Sequence, residues 1–301
     1  MSALVTVAKI AAFDFFESVR SRRALALLVL YVAGSIAATA MFVKFVMVFE
    51  TTAASVLSVG QTDSAGAMTE ELMQTEQMFR AFEDLVGDRA LARALMTIPP
   101  IAMFYGWLAF TFIPLLVTFT SGDSVAAEVA SGSVRFALFR VDRLSWAVGK
   151  LLGQALLMLV GILAGAVASL ATSSLLMTNS HVGLTAVWLA RFSGRAAVYG
   201  FAYLGLVVGC SLVAKSLNGA RAAALIGLFA IGVGGNLLES EWTTTTFPVL
   251  APTLSTMFPQ GHDLDLWRVT FADRAPGIVM LLALGLAYFT AGYAMFARRD
   301  P

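Results

Sequence analysis

The stretch GDSVAAEVASGSVRFALFRVDRLSWAVGK, residues 122–150, gathers Glu128, Arg135, Arg140, Asp142, Arg143 and Lys150 into one short connection between two oily segments. The flanking runs, 98–119 and 144–177, each reach the roughly 20 residues that a helix needs to cross a bilayer. A charged connection between two such runs is an aqueous loop, and its flanks are membrane helices.

Composition agrees with that reading. Of 301 residues, 58% are hydrophobic and 13% charged, against about a quarter charged in soluble domains. The mean hydropathy is +0.81. A single cysteine, Cys210, excludes an intrachain disulfide.

Further runs at 24–48, 196–214, 222–238 and 277–296 bring the expected crossings to six. The fold class is therefore an all-α, polytopic integral membrane protein with six transmembrane helices. The third run is longer than a bilayer needs, so its first turns, with Lys150 and Gln154, are expected to project beyond the hydrocarbon. Pro99 and Pro100 suit the start of the second, and Pro114 is expected to kink it. Before the first crossing, residues 4–22 form an amphipathic elbow helix: Thr6, Lys9, Asp14, Glu17, Arg20 and Ser21 share a polar arc opposite Leu4, Phe15, Phe16 and Val19. Arg20 to Arg23 followed by Ala38-Thr39-Ala40 imitate a signal peptide, but the apolar run continues past that point, so an uncleaved start is expected.

Six crossings put both termini on one side. That side carries twelve basic and six acidic residues, the other eight basic and thirteen acidic. Lys and Arg are retained in the cytoplasm, so both termini are expected there, in a multi-pass protein of the cell inner membrane. The exterior loop 50–97 is acidic, and its later half places Leu72, Phe79, Phe82 and Val86 at helical spacing with Thr69 as N-cap, which predicts surface helices. The loop 239–273, with Pro248, Pro252 and Pro259, reads as an irregular cap.

The chemistry-bearing motifs are absent or incomplete. Gly149-Lys150 lacks the upstream glycine and the following hydroxyl of a phosphate-binding loop, so ATP hydrolysis is not expected in this chain. His181 and His262 lack metal-ligand spacing. Met68, Met73 and Met78 step five residues at a time and scatter over different helix faces, which suits packing better than a soft metal. Ser131-Gly132-Ser133 and Ser193-Gly194 have no histidine in any span to serve as a base. No catalytic residue, cofactor or metal site, and no nucleic-acid surface, is expected. Gly161-x-x-x-Gly165 and Gly205-x-x-x-Gly209 permit close helix contact, within one subunit or at a dimer seam. Ser169, Thr172, Ser173 and Asn236 are candidates either for lining a transport path or for ordinary interhelical hydrogen bonds.

The connection 121–143 resembles the cytoplasmic coupling loop of ABC-2 type transporter permeases. That pattern runs from a glutamate through Gly-Thr or Gly-Ser, a short apolar helix and a basic turn to Gly-Lys. Here it reads Glu128, Gly132-Ser133, Val134 to Phe139, Arg140 to Arg143 and Gly149-Lys150. Arg140 stands where the family commonly has proline. The elbow with Phe15-Phe16 and Arg20, the six helices and the turn 211–222 extend the resemblance over nearly the whole chain. It implies the membrane subunit of an ATP-driven exporter, with two permeases, alike or different, joined to two ATP-binding-cassette ATPase subunits that hold ATP and Mg. It further implies ATPase coupling through Glu128, Gly132, Ser133, Arg135, Arg140, Arg143 and Lys150, and an exterior loop open to an accessory protein. A membrane anchor for another complex, or a membrane-embedded enzyme such as a lipid-modifying transferase, are the alternatives that the residues alone leave open.

Overall fold

A computed structural model describes residues 3–57, 66, 75–178 and 181–298. The chain begins with α1, Ala3–Arg20. Ser21 both ends it and starts α2, Arg22–Leu57: its N–H donates to the Glu17 carbonyl and its Oγ accepts from the Ala24 N–H, each at 3.1 Å. Two short helices follow, α3 (Glu76–Val86) and α4 (Arg89–Leu95), capped by Thr75 and by Asp88. Thr69, expected as that cap, lies outside the described residues, as do Met68, Leu72 and Met73. Thr75 Oγ1 accepts the Met78 N–H at 3.4 Å and so caps α3.

α5, Pro100–Ser121, starts on its proline as expected and runs through Pro114 without ending. Thr118 Oγ1 donates to the Pro114 carbonyl at 2.7 Å within it. The charged connection forms two one-turn helices, α6 (Ala126–Ser131) and α7 (Ser133–Leu138). Asp142 then caps α8, Arg143–Leu176. The bundle is completed by α9 (Val182–Val213), α10 (Leu217–Glu239) and α14 (Phe271–Ala297). Between the last two lie α11 (Glu241–Thr246), α12 (Leu250–Ser255), a 3-10 turn (Pro259–His262) and α13 (Asp263–Trp267), so the loop 239–273 is a chain of short helices rather than an irregular cap.

Helices α2, α5, α8, α9, α10 and α14 are long and apolar enough to cross a membrane. The protein is all-α and polytopic. α9 begins at Val182, earlier than the apolar run at Ala196, because Arg191 and Arg195 interrupt the hydropathy without interrupting the helix.

α9 is the centre of the bundle, packed on α14, α5, α8 and α10. Its Phe192, Tyr203 and Leu204 belong with Tyr105 and Ile113 of α5 to one buried core. Glycines set the closest approaches. A Cβ on Gly205 would strike the Gly285 carbonyl, and one on Gly292 would lie 2.5 Å from Gly209 Cα, so α9 and α14 touch through backbone. Both sequence-predicted glycine pairs thus pack within one chain. Gly161 faces Leu28 and Leu116, and Gly165 faces Tyr31 and Ser35. Gly149 and Gly153 extend the same α8 stripe and seat α1 on Ile10 and Ala11.

Candidate functional site

Seating α1 on the glycine stripe of α8 brings Asp14 over Lys150 and Gln154. Lys150 Nζ donates to Asp14 Oδ1 at 2.5 Å, and both side chains are 4% exposed. The same ammonium pairs with Glu128 of α6. Gln154 Nε2 donates to Asp14 Oδ2 at 2.7 Å and to Ser18 Oγ at 2.9 Å, while its Oε1 accepts from Ser121 of α5 at 2.9 Å. One lysine and one glutamine therefore join four elements: α1, α5, α6 and α8. A buried charge costs several kcal/mol unless paired and hydrogen-bonded, and here every member has a partner. Carboxylate oxygens of Asp14, Glu17 and Glu128 lie within 4.8 Å of one another, but the chain's own ammonium already sits on two of them. That makes the cluster an ion-pair network rather than a metal cradle.

A second network lies beside it. Asp123 accepts from Arg23 Nη1 at 2.5 Å and from Arg221 Nε at 3.1 Å, linking the starts of α2 and α10 to the end of α5. Arg23 Nη2 also donates to the Phe119 carbonyl at 2.7 Å. Ser211 Oγ accepts the N–H groups of Val125 and Ala126, at 3.2 and 3.0 Å, and fixes α6 to α9. Between the networks is a polar cavity of about 260 Å³, lined by Glu17, Asp123, Glu128, Lys150 and Arg221 among others.

From this base the α6–α7 hairpin extends outward. Gly132 bends it with φ +73°, a left-handed conformation that L side chains rarely adopt. Ser133 Oγ closes the bend onto the Glu128 carbonyl at 3.3 Å. Val134 turns in and is buried, whereas Phe136 and Phe139 are 75% and 86% exposed. Arg135 and Arg140 are exposed beside them. Arg143 points elsewhere: its Nη1 donates to the Ala297 carbonyl at 2.8 Å and ties α8 to the end of α14. Asp142 is held below the usual carboxylate range by the Ser145 N–H that it caps, at 2.8 Å.

The coupling residues expected from sequence thus divide. Glu128 and Lys150 form the buried base, Gly132 and Ser133 the bend, Arg135 and Arg140 the exposed rim, and Arg143 a helix tie. Of the four pathway candidates, Ser169, Thr172 and Ser173 lie together on α8 and Asn236 lies on α10. Ser169 accepts from Thr39 Oγ1 at 3.0 Å, Thr172 and Ser173 bond carbonyls of their own helix, and Asn236 is exposed on α10 with its amide on the Gly232 carbonyl. Asp14, Asp123, Gln154 and Ser211 were not singled out as site residues from sequence. The signal for the first was Gly149-x-x-x-Gly153 at the start of α8, which marks a seat for another helix.

A search of curated proteins finds no match to this chain. The sequence model of the family described as ABC-2 family transporter protein matches residues 8–301, from within α1 through the last span. Six membrane helices built around a charged, membrane-edge connection and matched over nearly their whole length place the chain in the ABC-2 transporter family, as a multi-pass membrane permease.

Proposed function

We propose that the chain is the permease of an ATP-driven exporter, in which a separate ATPase subunit docks on the α6–α7 hairpin and drives the span helices through it. The observation that carries this reading is the continuity of the hairpin with the bundle. Exposed Phe136 and Phe139 stand on a bend whose base, Glu128, is ion-paired to Lys150 of α8 and through it to Asp14 of α1. A push on such a contact reaches helices without passing through a soft loop. Exposed aromatics rimmed by Arg135 and Arg140 suit an anchor in a partner's pocket with a polar edge.

The reading carries the rest of the assembly with it: two permeases with two ATPases, ATP and Mg held by the ATPase, and both termini in the cytoplasm of a cell whose inner membrane holds the complex. Its test is co-purification and stimulated ATP hydrolysis in proteoliposomes with the ATPase subunit. Phe139→Ala and Glu128→Gln are expected to insert normally yet lose most of the stimulation, and the permease alone to hydrolyse nothing above background. Variants that support hydrolysis and transport like the parent would remove the hairpin from the mechanism. Failure of any ATPase to co-purify would favour a membrane anchor of another complex.

A further inference from the structure

At the end of the bundle away from the charged connection, α9 carries a guanidinium that its surroundings do not satisfy. Arg195 is 5% exposed, and its Nε and Nη1 are sealed from solvent with no hydrogen-bond acceptor among the described residues. Its neighbours are rings and cations. The guanidinium lies 4.8 Å from the Phe192 ring centre and 5.8 Å from that of Trp188. Arg191 stacks on the same Trp188 at 4.9 Å. Arg191 and Arg274, the latter near the start of α14, bring two further positive charges to the same end of the bundle. Ring faces offset part of a cation's lost hydration, but they accept no hydrogen bonds and do nothing for three like charges. An ionisable group left in this state at the end of a span is a candidate functional site.

Depth identifies the ligand. The apolar run of α9, residues 196–214, is 19 residues at about 1.5 Å each, close to the full hydrocarbon thickness of about 30 Å. Arg195 immediately precedes it and so stands at the hydrocarbon boundary, where headgroups lie. Leu184 and Val187, 50% and 48% exposed, continue the Arg191 face of α9 toward the helix start. A Cβ on Gly194 would meet nothing within 4 Å, so the surface beside Arg191 is open.

We infer that Arg195, Arg191 and Arg274 form an oxyanion site for the headgroup of an acidic lipid, its phosphate on the accessible Arg191 and Arg274 guanidiniums above the buried Arg195 charge, and its glycerol and tails along α9. Guanidinium matches phosphate oxygens in geometry as well as charge. The inference does not depend on ATPase coupling, because the site lies at the opposite end of the bundle.

The test uses the full chain in neutral detergent, titrated with dihexanoyl phosphatidylglycerol or dihexanoyl phosphatidylcholine while tryptophan fluorescence is read, since Trp188 forms one wall. Phosphatidylglycerol is expected to give a saturable change at least about tenfold tighter than phosphatidylcholine. Arg195→Gln is expected to abolish that preference. Should Arg195→Gln fail to fold, the double variant Arg191→Gln/Arg274→Gln, at less buried positions, is expected to weaken phosphatidylglycerol about three- to tenfold. Equal binding of the two lipids, or an unchanged preference in the double variant, overturns the site. Inorganic phosphate is expected not to compete at matched concentration; complete displacement by it would assign the site to a soluble anion and overturn the lipid reading.

Discussion

Lys150 of the third span and Asp14 of the helix before the first span meet at 2.5 Å, both side chains almost wholly buried. The pair adds a charged tie to the helix seated on Gly149 and Gly153, and Glu128 adds the hairpin to the same ammonium. Removing the cation alone leaves two carboxylates facing each other in a buried site. Lys150→Met is therefore expected to cost about 3–5 kcal/mol, with the double variant Asp14→Asn/Lys150→Met recovering much of it. Denaturing-detergent titrations of the four proteins in the cycle measure the coupling, and strictly additive losses would show that the contact contributes nothing as a pair.

Backbone contact between α9 and α14 makes a contrasting prediction about size rather than charge. Gly→Ala within a helix ordinarily gains about 1 kcal/mol from propensity. At Gly205 the new methyl meets the Gly285 carbonyl, and the two helices must separate. Gly205→Ala is expected to lose about 1–3 kcal/mol, whereas Gly34→Ala, with nothing within 4 Å, is expected to be neutral or slightly stabilising. Equal behaviour of the two variants in the same unfolding assay would contradict the close packing.

The spans were legible because hydropathy and helix length are properties of a segment by itself. Their ends were less so. Arg191 and Arg195 ended the apolar run at Ala196 while the helix continued out to Val182, since a charge raises the cost of hydrocarbon but not of helix. The site was legible where it is local: Glu128, Gly132 and Ser133 follow one another in a bend that sequence spacing describes. Asp14 and Lys150 are 136 positions apart, and a helical wheel assigns Asp14 to the polar arc. Only the seat made by Gly149 and Gly153 turns that arc inward. Arg143 shows the same limit, since it donates to a backbone carbonyl at Ala297, invisible to any pattern of side chains.

Gly132 isolates the contribution of the bend. Its φ of +73° strains any L side chain, yet no atom lies within 4 Å of the position a Cβ would take. Gly132→Ala is expected to cost about 1–2 kcal/mol from backbone conformation alone, and Gly132→Asn less, because asparagine tolerates this region. Hydrogen exchange of 133–138 is expected to quicken in the order Gly, Asn, Ala with the spans unchanged. An identical profile for all three would mean that the bend is not held as described.

Asp142 gives the start of α8 a pH dependence. Capping by the Ser145 N–H lowers its folded pKa below the unfolded carboxylate value of about 3.9. The sign follows from linkage: the stabilisation is fully present above the unfolded value and is lost as pH falls through the lower, folded one. Protection of the first-turn amides of α8 is expected to be flat at neutral pH and to fall below about pH 4. Asp142→Asn keeps an acceptor oxygen without a titrating group and is expected to remove the fall; a variant that retains it would place the titration elsewhere.

Membrane orientation can be read from one exposed residue at each end, because the charged connection and both chain ends belong to the same end of the bundle. Arg143 holds the Ala297 carbonyl at 2.8 Å, and Lys150 holds Asp14 at 2.5 Å, so a label near Arg140 reports for the first and last helices as well. The charge division, twelve basic and six acidic residues on that side against eight and thirteen on the other, predicts a cytoplasmic location. In a Cys210→Ser background, Asp84→Cys on α3 is expected to react with a membrane-impermeant maleimide on intact cells. Arg140→Cys is expected to react only after lysis. Both positions are exposed in the permease chain. The reverse pattern would put the hairpin outside, away from any source of ATP, and would remove the basis for ATPase docking there.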